Sequence, residues 1–183
     1  MSALVLLAPG FEDIEGITVI DILRRAEIET VVAGLVLGPI TAARKTQHLA
    51  DVLLSEVDPA REFEVVVLPG GAEGAKHLAE SPLVRDWLVR QRERGQWVAA
   101  ICAAPTALLA HGWLNPADKI TCHPSVRSQF HVGQVQTERV VVEGKLITGM
   151  AAGAAMEWSY EIVRCLRGDA ATTKVNHGVH AVV

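Results

Sequence analysis

The stretch WVAAICAAPTALLAHG, Trp97 to Gly112, sets a thiol where an apolar run gives way to an amphipathic one. Trp97–Ile101 is short, apolar and β-branched enough to predict a strand buried on both faces. Pro105 has a backbone angle suited to a first helical turn, and PTALLAH carries the apolar spacing of a helix. A strand that feeds a helix after so short a link forces the residue between them into a tight turn. That geometry presents the serine of a nucleophile elbow, and it needs small neighbours such as Ala103 and Ala104. Placed there, Cys102 faces the free N–H groups and positive end of the helix. Both favour thiolate and predict a pKa lowered by about one unit or more from the usual ~8.5. The plain alternative is a buried small hydrophobe, since free cysteine is among the most buried residue types.

Working outward, Ala3–Ala8 reads as a buried strand ended by Pro9-Gly10. A helix follows, with Ile14, Ile17, Val19, Ile20 and Leu23 as its apolar positions and Arg24-Arg25 at its C-terminal end, where cations suit the dipole. ETVVAGL is a second strand, and Gly38–Asp58 holds two short strands. EFEVVVLPGG is a strand running into a glycine turn. Ser81 caps and Gly95 stops a helix that turns Leu83, Val84, Trp87 and Leu88 inward. ERVVVEGKLIT predicts a hairpin turning at Glu143-Gly144. A final helix, AAMEWSYEIVRCLRG, ends at Gly168, and KVNHGVHAVV, with His177 and His180, is a solvent-facing tail. Alternating strands and helices predict an α/β sandwich with a mainly parallel sheet, a single domain over residues 1–183. Ligands of such sheets lie beyond the strands' carboxyl ends, so the loops Pro9–Glu15, Pro69–Gly74 and Cys102–Pro105 carry the interest.

Composition excludes several classes. A net charge of −4 with no dense basic patch argues against nucleic acid. No apolar run reaches the roughly 18 residues of a bilayer span, and the N-terminus lacks the basic leader of a signal peptide. Three cysteines, Cys102, Cys122 and Cys165, are too few for a disulfide framework and point to a reducing cytoplasm. The adjacent pair Cys122-His123 lacks the spacing of a structural zinc site, so no metal is expected. Cys122 and Cys165 read as packed thiols.

Two further loops bear on Cys102. Gly70 and Gly71 offer backbone N–H groups unobstructed by side chains, which suits an oxyanion, although Gly-Gly is more often only a turn. Glu12, Asp13 and Glu15 crowd a helix start, where acids ordinarily complement the dipole. Glu15 lies deepest and could carry protons for the thiol if burial raises its pKa. His123, in TCHPS, is a candidate partner among seven histidines.

The segments LAPGFEDIEG, VVVLPGGAEGAKHLAES and AICAAPTALLAHG, in that order along the chain, resemble the ThiJ/PfpI superfamily, in the branch of the parkinsonism-associated protein deglycase. The likeness runs from about Leu4 to Gly168. It implies a flavodoxin-like fold and a homodimer without cofactor. It implies Cys102 as nucleophile, Glu15 as the proton-carrying acid against the sulfur, and His123 nearby. Backbone donors map to Gly71 and Ala103, and Arg44 maps to an arginine that approaches the site from the partner subunit. Met150, Ala152 and Ala154 depart from the family's pattern before the last helix, which bears on substrate preference. The resemblance implies a cofactor-independent glyoxalase or deglycase acting on methylglyoxal, glyoxal or their early protein adducts. The alternative is a sensor or chaperone that works through oxidation of the same thiol. A cysteine peptidase of this superfamily carries histidine directly after its nucleophile, where Ala103 stands here.

Overall fold

In the computed structural model, which describes residues 1–182, the first apolar run forms β1 (Ser2–Leu7) and is buried from Ala3 onward. Its side chains alternate between two cores. Ala3, Val5 and Leu7 join one cluster, while Leu4 and Leu6 join the other. A strand apolar at every position is what a sheet covered on both faces requires.

The chain continues through α1 (Asp13–Arg25), β2 (Glu29–Gly34), β3 (Ile40–Thr41), β4 (Gln47–His48), β5 (Val52–Leu53), β6 (Val65–Leu68), α2 (Ala72–Glu80), α3 (Pro82–Glu93), β7 (Trp97–Ile101), α4 (Pro105–Ala110), β8 (Val140–Glu143), β9 (Leu146–Gly149), α5 (Ala155–Arg167) and α6 (Asp169–Val179). Seven strands form one sheet in the order β5-β2-β1-β6-β7-β9-β8. All neighbours are parallel except β8 and β9, an antiparallel hairpin in which Glu143 faces Leu146 across Gly144. One face is covered by α1 and α5 through Val19, Ile22, Leu23, Trp158 and Ile162. The other carries Leu78 of α2, Val84, Trp87 and Leu88 of α3, and Ala107 and Leu108 of α4. This is the flavodoxin-like α/β arrangement that the strand–helix alternation predicts.

Several local expectations change. The buried face of α1 is Glu15, Gly16, Val19, Ile22 and Leu23, while Ile14 is 56% and Ile17 40% exposed. Leu83 is exposed, and Gln91 takes its place on the inner face of α3 by donating to the carbonyls of Phe63 and Trp97. Between Gly38 and Asp58 there are three short strands: β3 and β4 form a separate hairpin, and β5 extends the edge of the main sheet. Two helices escape the sequence patterns. α2 buries only Gly74, Ala75 and Leu78, too small a stripe to stand out. α6 occupies the expected solvent-facing tail, with Val175 its one buried residue, and Tyr160 donates to Asn176 Oδ1 at 3.0 Å to tie it to α5. The 3-10 turn Pro124–Gln129 follows His123 and completes the region near β7.

Candidate active site

The order of the sheet makes β1, β6 and β7 neighbours, so the loops after them meet at one end. Chain direction diverges here, β2 lying on one side of β1 and β6 on the other, which is where ligands of open α/β sheets bind.

Cys102 directly follows β7 and has φ +64°. That left-handed conformation costs a non-glycine residue roughly 1 kcal/mol or more, so the surroundings must hold it. They do so through both backbone groups: the Cys102 N–H donates to the Gly149 carbonyl at 2.9 Å, and the Cys102 carbonyl accepts from His123 N–H at 2.8 Å. The elbow expected from the sequence is therefore formed. Its thiol is buried and opens onto the cavity described below.

Glu15 comes from the first turn of α1 and is fully buried. Glu12 caps that helix, its Oε2 accepting the Glu15 N–H at 2.9 Å. Glu15 Oε2 accepts from Gly70 N–H at 2.8 Å. Its Oε1 is buried with no hydrogen-bond partner among the described residues, and the Cys102 side chain lies beside the carboxyl. The three loops are packed against one another with no spare volume. A Cβ on Gly70 would stand 2.7 Å from Cys102 Cβ and 2.7 Å from Glu15 Oε2. Gly71 has φ +85°, and a Cβ there would stand 2.3 Å from the Gly10 carbonyl oxygen. Glycine is required at both positions by contact, and at Gly71 also by conformation.

The electrostatics overturn one expectation. Burial, foremost, raises the Glu15 carboxyl from 4.5 to about 7, against the lowering effect of Cys102 and of its bond with Gly70. Burial and the adjacent Glu15 carboxyl raise the Cys102 thiol to about 12, although the nearby N–H groups of Gly71 and Ala103 favour its anion. The expected low thiol pKa is absent because the sequence shows the helix start but not the desolvation or the facing acid. The two groups titrate as a pair: a first proton leaves near pH 7 and the second only near 12. Between those limits the pair holds one proton and one negative charge, the proton on the sulfur and the charge on the carboxyl.

Cys102, Glu15, Gly71, Ala103, Arg44 and His123 line one cavity of about 490 Å³. Gly70 does not line it; its N–H is committed to Glu15 and unavailable to a substrate, which corrects its expected role. His123 Nδ1 accepts from Ser125 N–H at 3.2 Å and lies 2.7 Å from Ser125 Oγ, leaving Nε2 as the proton-bearing nitrogen. Arg44 belongs to the wall of its own chain's cavity, whereas the resemblance implies an approach from a partner. His177 and His180 sit on and after α6, outside that cavity. Cys122 packs in the core on the opposite face of the sheet from Cys102. Of the wall built by Ala151, Ala152 and Gly153, the sequence marks Ala152, through the departure before the last helix, but not Ala151, Gly153 or Glu73 of α2. Small residues that line a site by leaving room carry no chemical signature of their own.

Comparison with known proteins agrees with this geometry. The family model described as DJ-1/PfpI matches residues 1–165. Protein dj-1beta of Drosophila melanogaster is 41% identical over 97% of this chain and 96% of its own length. The crystal structure of Drosophila melanogaster DJ-1beta superposes with a TM-score of 0.95 at 40% identity, covering 100% of this chain and 98% of that one. A protein named glutathione-independent glyoxalase DJR-1.2, from Caenorhabditis elegans, is 35% identical over 95% of this chain and 93% of its own. With an elbow cysteine, a facing buried acid and likeness along nearly its whole length, the chain belongs to the DJ-1/PfpI family.

Proposed function

We propose that the protein is a cofactor-independent glyoxalase acting on small 2-oxoaldehydes, with Cys102 as nucleophile and Glu15 as proton carrier. The observation that carries this is the buried Glu15 carboxyl, one of its oxygens without a partner, set beside an elbow thiol that opens onto the cavity. The Glu15 carboxylate takes the Cys102 proton as the sulfur adds to the aldehyde carbon. The carbonyl π pair moves to oxygen, and Glu15 supplies that oxygen with its proton. The result is a hemithioacetal and a Glu15 carboxylate. Glu15 then removes the hydrogen of the former aldehyde carbon as a proton, and an enediol forms. Returning a proton to the neighbouring carbon reduces that carbon while the first is oxidised to a thioester. Water cleaves the thioester, freeing the 2-hydroxyacid and the thiol. N–H groups of Gly71 and Ala103 stabilise the negative charge as it passes from sulfur to oxygen. His123 Nε2–H lies in the same wall as a hydrogen-bond donor for the substrate's second oxygen.

A similar protein is named a glutathione-independent glyoxalase, which supports this reading. The test is lactate formation from methylglyoxal by purified protein without glutathione. Loss of turnover in Cys102→Ala and in Glu15→Gln is expected; lactate formation undiminished in Cys102→Ala overturns the scheme. Early protein adducts of the same aldehydes would enter by the same attack.

A second reading is a redox sensor, since the same acid could hold an oxidised sulfur by a hydrogen bond. Its support is a structural neighbour described as oxidised DJ-1 of Toxoplasma gondii, 29% identical with a TM-score of 0.94. Dilute peroxide that modifies Cys102 selectively, in protein that makes no lactate, favours the sensor. Pairing of two copies through the exposed Ile14 and Ile17 of α1 belongs to the same proposal.

A further inference from the structure

Asp13 reads in the sequence as a dipole complement, but its carboxylate holds a distant loop. Its Oδ2 accepts from Arg44 N–H at 2.8 Å, and its Oδ1 accepts from the Thr46 hydroxyl. Thr46 Oγ1 is also 2.7 Å from His48 Nε2. A carboxylate can only accept, so the threonine proton goes to Asp13 and the threonine oxygen receives the His48 Nε2–H. The relay therefore runs one way, His48 to Thr46 to Asp13. The turn it holds closes on itself, Ala42 N–H donating to the Thr46 carbonyl at 2.9 Å and Lys45 N–H to the Ala42 carbonyl at 3.0 Å. Ala43 N–H donates to the Phe11 carbonyl at 2.7 Å, fixing the turn to the loop before α1. At its apex is Arg44, in the wall of the Cys102 cavity. Among the described residues its guanidinium has no ion-pair partner. Of the acids in the same wall, Glu15 is buried beside Cys102 and accepts from Gly70, Glu12 is occupied in capping Glu15, and Glu73 lies across Gly10.

We infer that Asp13 is a positioning residue: it clamps the 42–46 turn so that Arg44 stands at the Cys102 cavity and favours ligands carrying a carboxylate or phosphate. This inference rests on Cys102 being the reacting group. It specifies the part of the ligand that lies away from the sulfur, the negatively charged tail of an aldehyde or the carboxylate of a hydroxyacid product.

The test needs no turnover. Cys102 is alkylated with iodoacetate and, separately, with iodoacetamide, and the ratio of the two rates is taken. Intrinsic thiol reactivity cancels in that ratio, leaving the charge the reagent meets. Arg44→Gln should lower the ratio about threefold, the size expected of one unit charge at a partly solvated site. Asp13→Ala should lower it as far, with no further fall in the Asp13→Ala/Arg44→Gln double variant. Asp13→Asn and Thr46→Val, which keep part of the clamp, should fall between. The sign is diagnostic, because removing a carboxylate that acted only through its own charge would raise the ratio. An Asp13→Ala ratio at or above wild type, with Asp13→Asn agreeing, overturns the inference. So does an Arg44→Gln ratio equal to wild type. If the ratios behave as expected while methylglyoxal gives no lactate, the glyoxalase proposal fails and the positioning role stands.

Discussion

Replacing Glu15 with glutamine tests the electrostatics of the site through the stability of the fold. The carboxyl is raised from 4.5 to about 7. Each unit is about 1.4 kcal/mol, so the linked free energy is about 3 kcal/mol. Its sign follows from which state keeps the proton. Between pH 4.5 and 7 the unfolded chain releases the Glu15 proton while the folded chain retains it. The contribution is thus complete below pH 4.5 and is lost as pH rises through 7. Glutamine carries no charge at any pH, and its Oε1 can still accept the Gly70 N–H. Urea unfolding of both proteins from pH 4 to pH 8 isolates the effect, because the Cys102 thiol, whose titration depends on Glu15, is held above that interval by burial in both. Wild type should lose about 3 kcal/mol relative to Glu15→Gln across that interval. A difference flat within about 0.5 kcal/mol would refute the claim that burial holds the proton on this carboxyl, and with it the proton-carrier role.

Three other outcomes follow from the packing. Glycine ordinarily destabilises a folded protein by about 1 kcal/mol relative to alanine, but at φ +64° the order should invert. Cys102→Gly should therefore melt at or above Cys102→Ala in thermal scans. Gly71→Ala, which sets a Cβ 2.3 Å from a backbone oxygen, should cost at least about 2 kcal/mol in urea unfolding and slow Cys102 alkylation. Ile14→Glu with Ile17→Glu alters residues that are 56% and 40% exposed, so it should leave monomer stability within about 1 kcal/mol. If two copies pair through α1, sedimentation should show wild type at twice the mass of that variant.

What the sequence made legible depended on whether a residue's role is local. The strand at Trp97–Ile101, the cap at Ser81 and the turn at Gly144 are decided by neighbours in the chain, and each stands where the patterns place it. α2 was hidden because its inner face is Gly74, Ala75 and Leu78. Their small size serves close approach: a Cβ on Gly74 would stand 2.8 Å from Phe11 Cα. α6 was hidden because it leans on Tyr160 and Asn176 rather than on an apolar stripe. In the candidate site, Cys102, Glu15 and His123 came from residue chemistry and resemblance together. The direction of the thiol's pKa could not, since it depends on which distant side chains surround it. The contacts of Asp13 beyond its helix start were hidden for the same reason, its partners Arg44 and Thr46 being about thirty residues further along the chain.

The wall formed by Ala151, Ala152 and Gly153 differs mechanically from the rest of the cavity. Gly70, Gly71 and Gly74 interlock so tightly that any added carbon must displace backbone or the reacting groups, whereas a Cβ on Gly153 meets nothing within 4 Å. New substrate shapes can therefore be accommodated by redesigning one rim, leaving the sulfur–acid pair undisturbed. A lineage or an engineer seeking to admit a larger or smaller ligand has freedom there and almost none among the interlocked glycines.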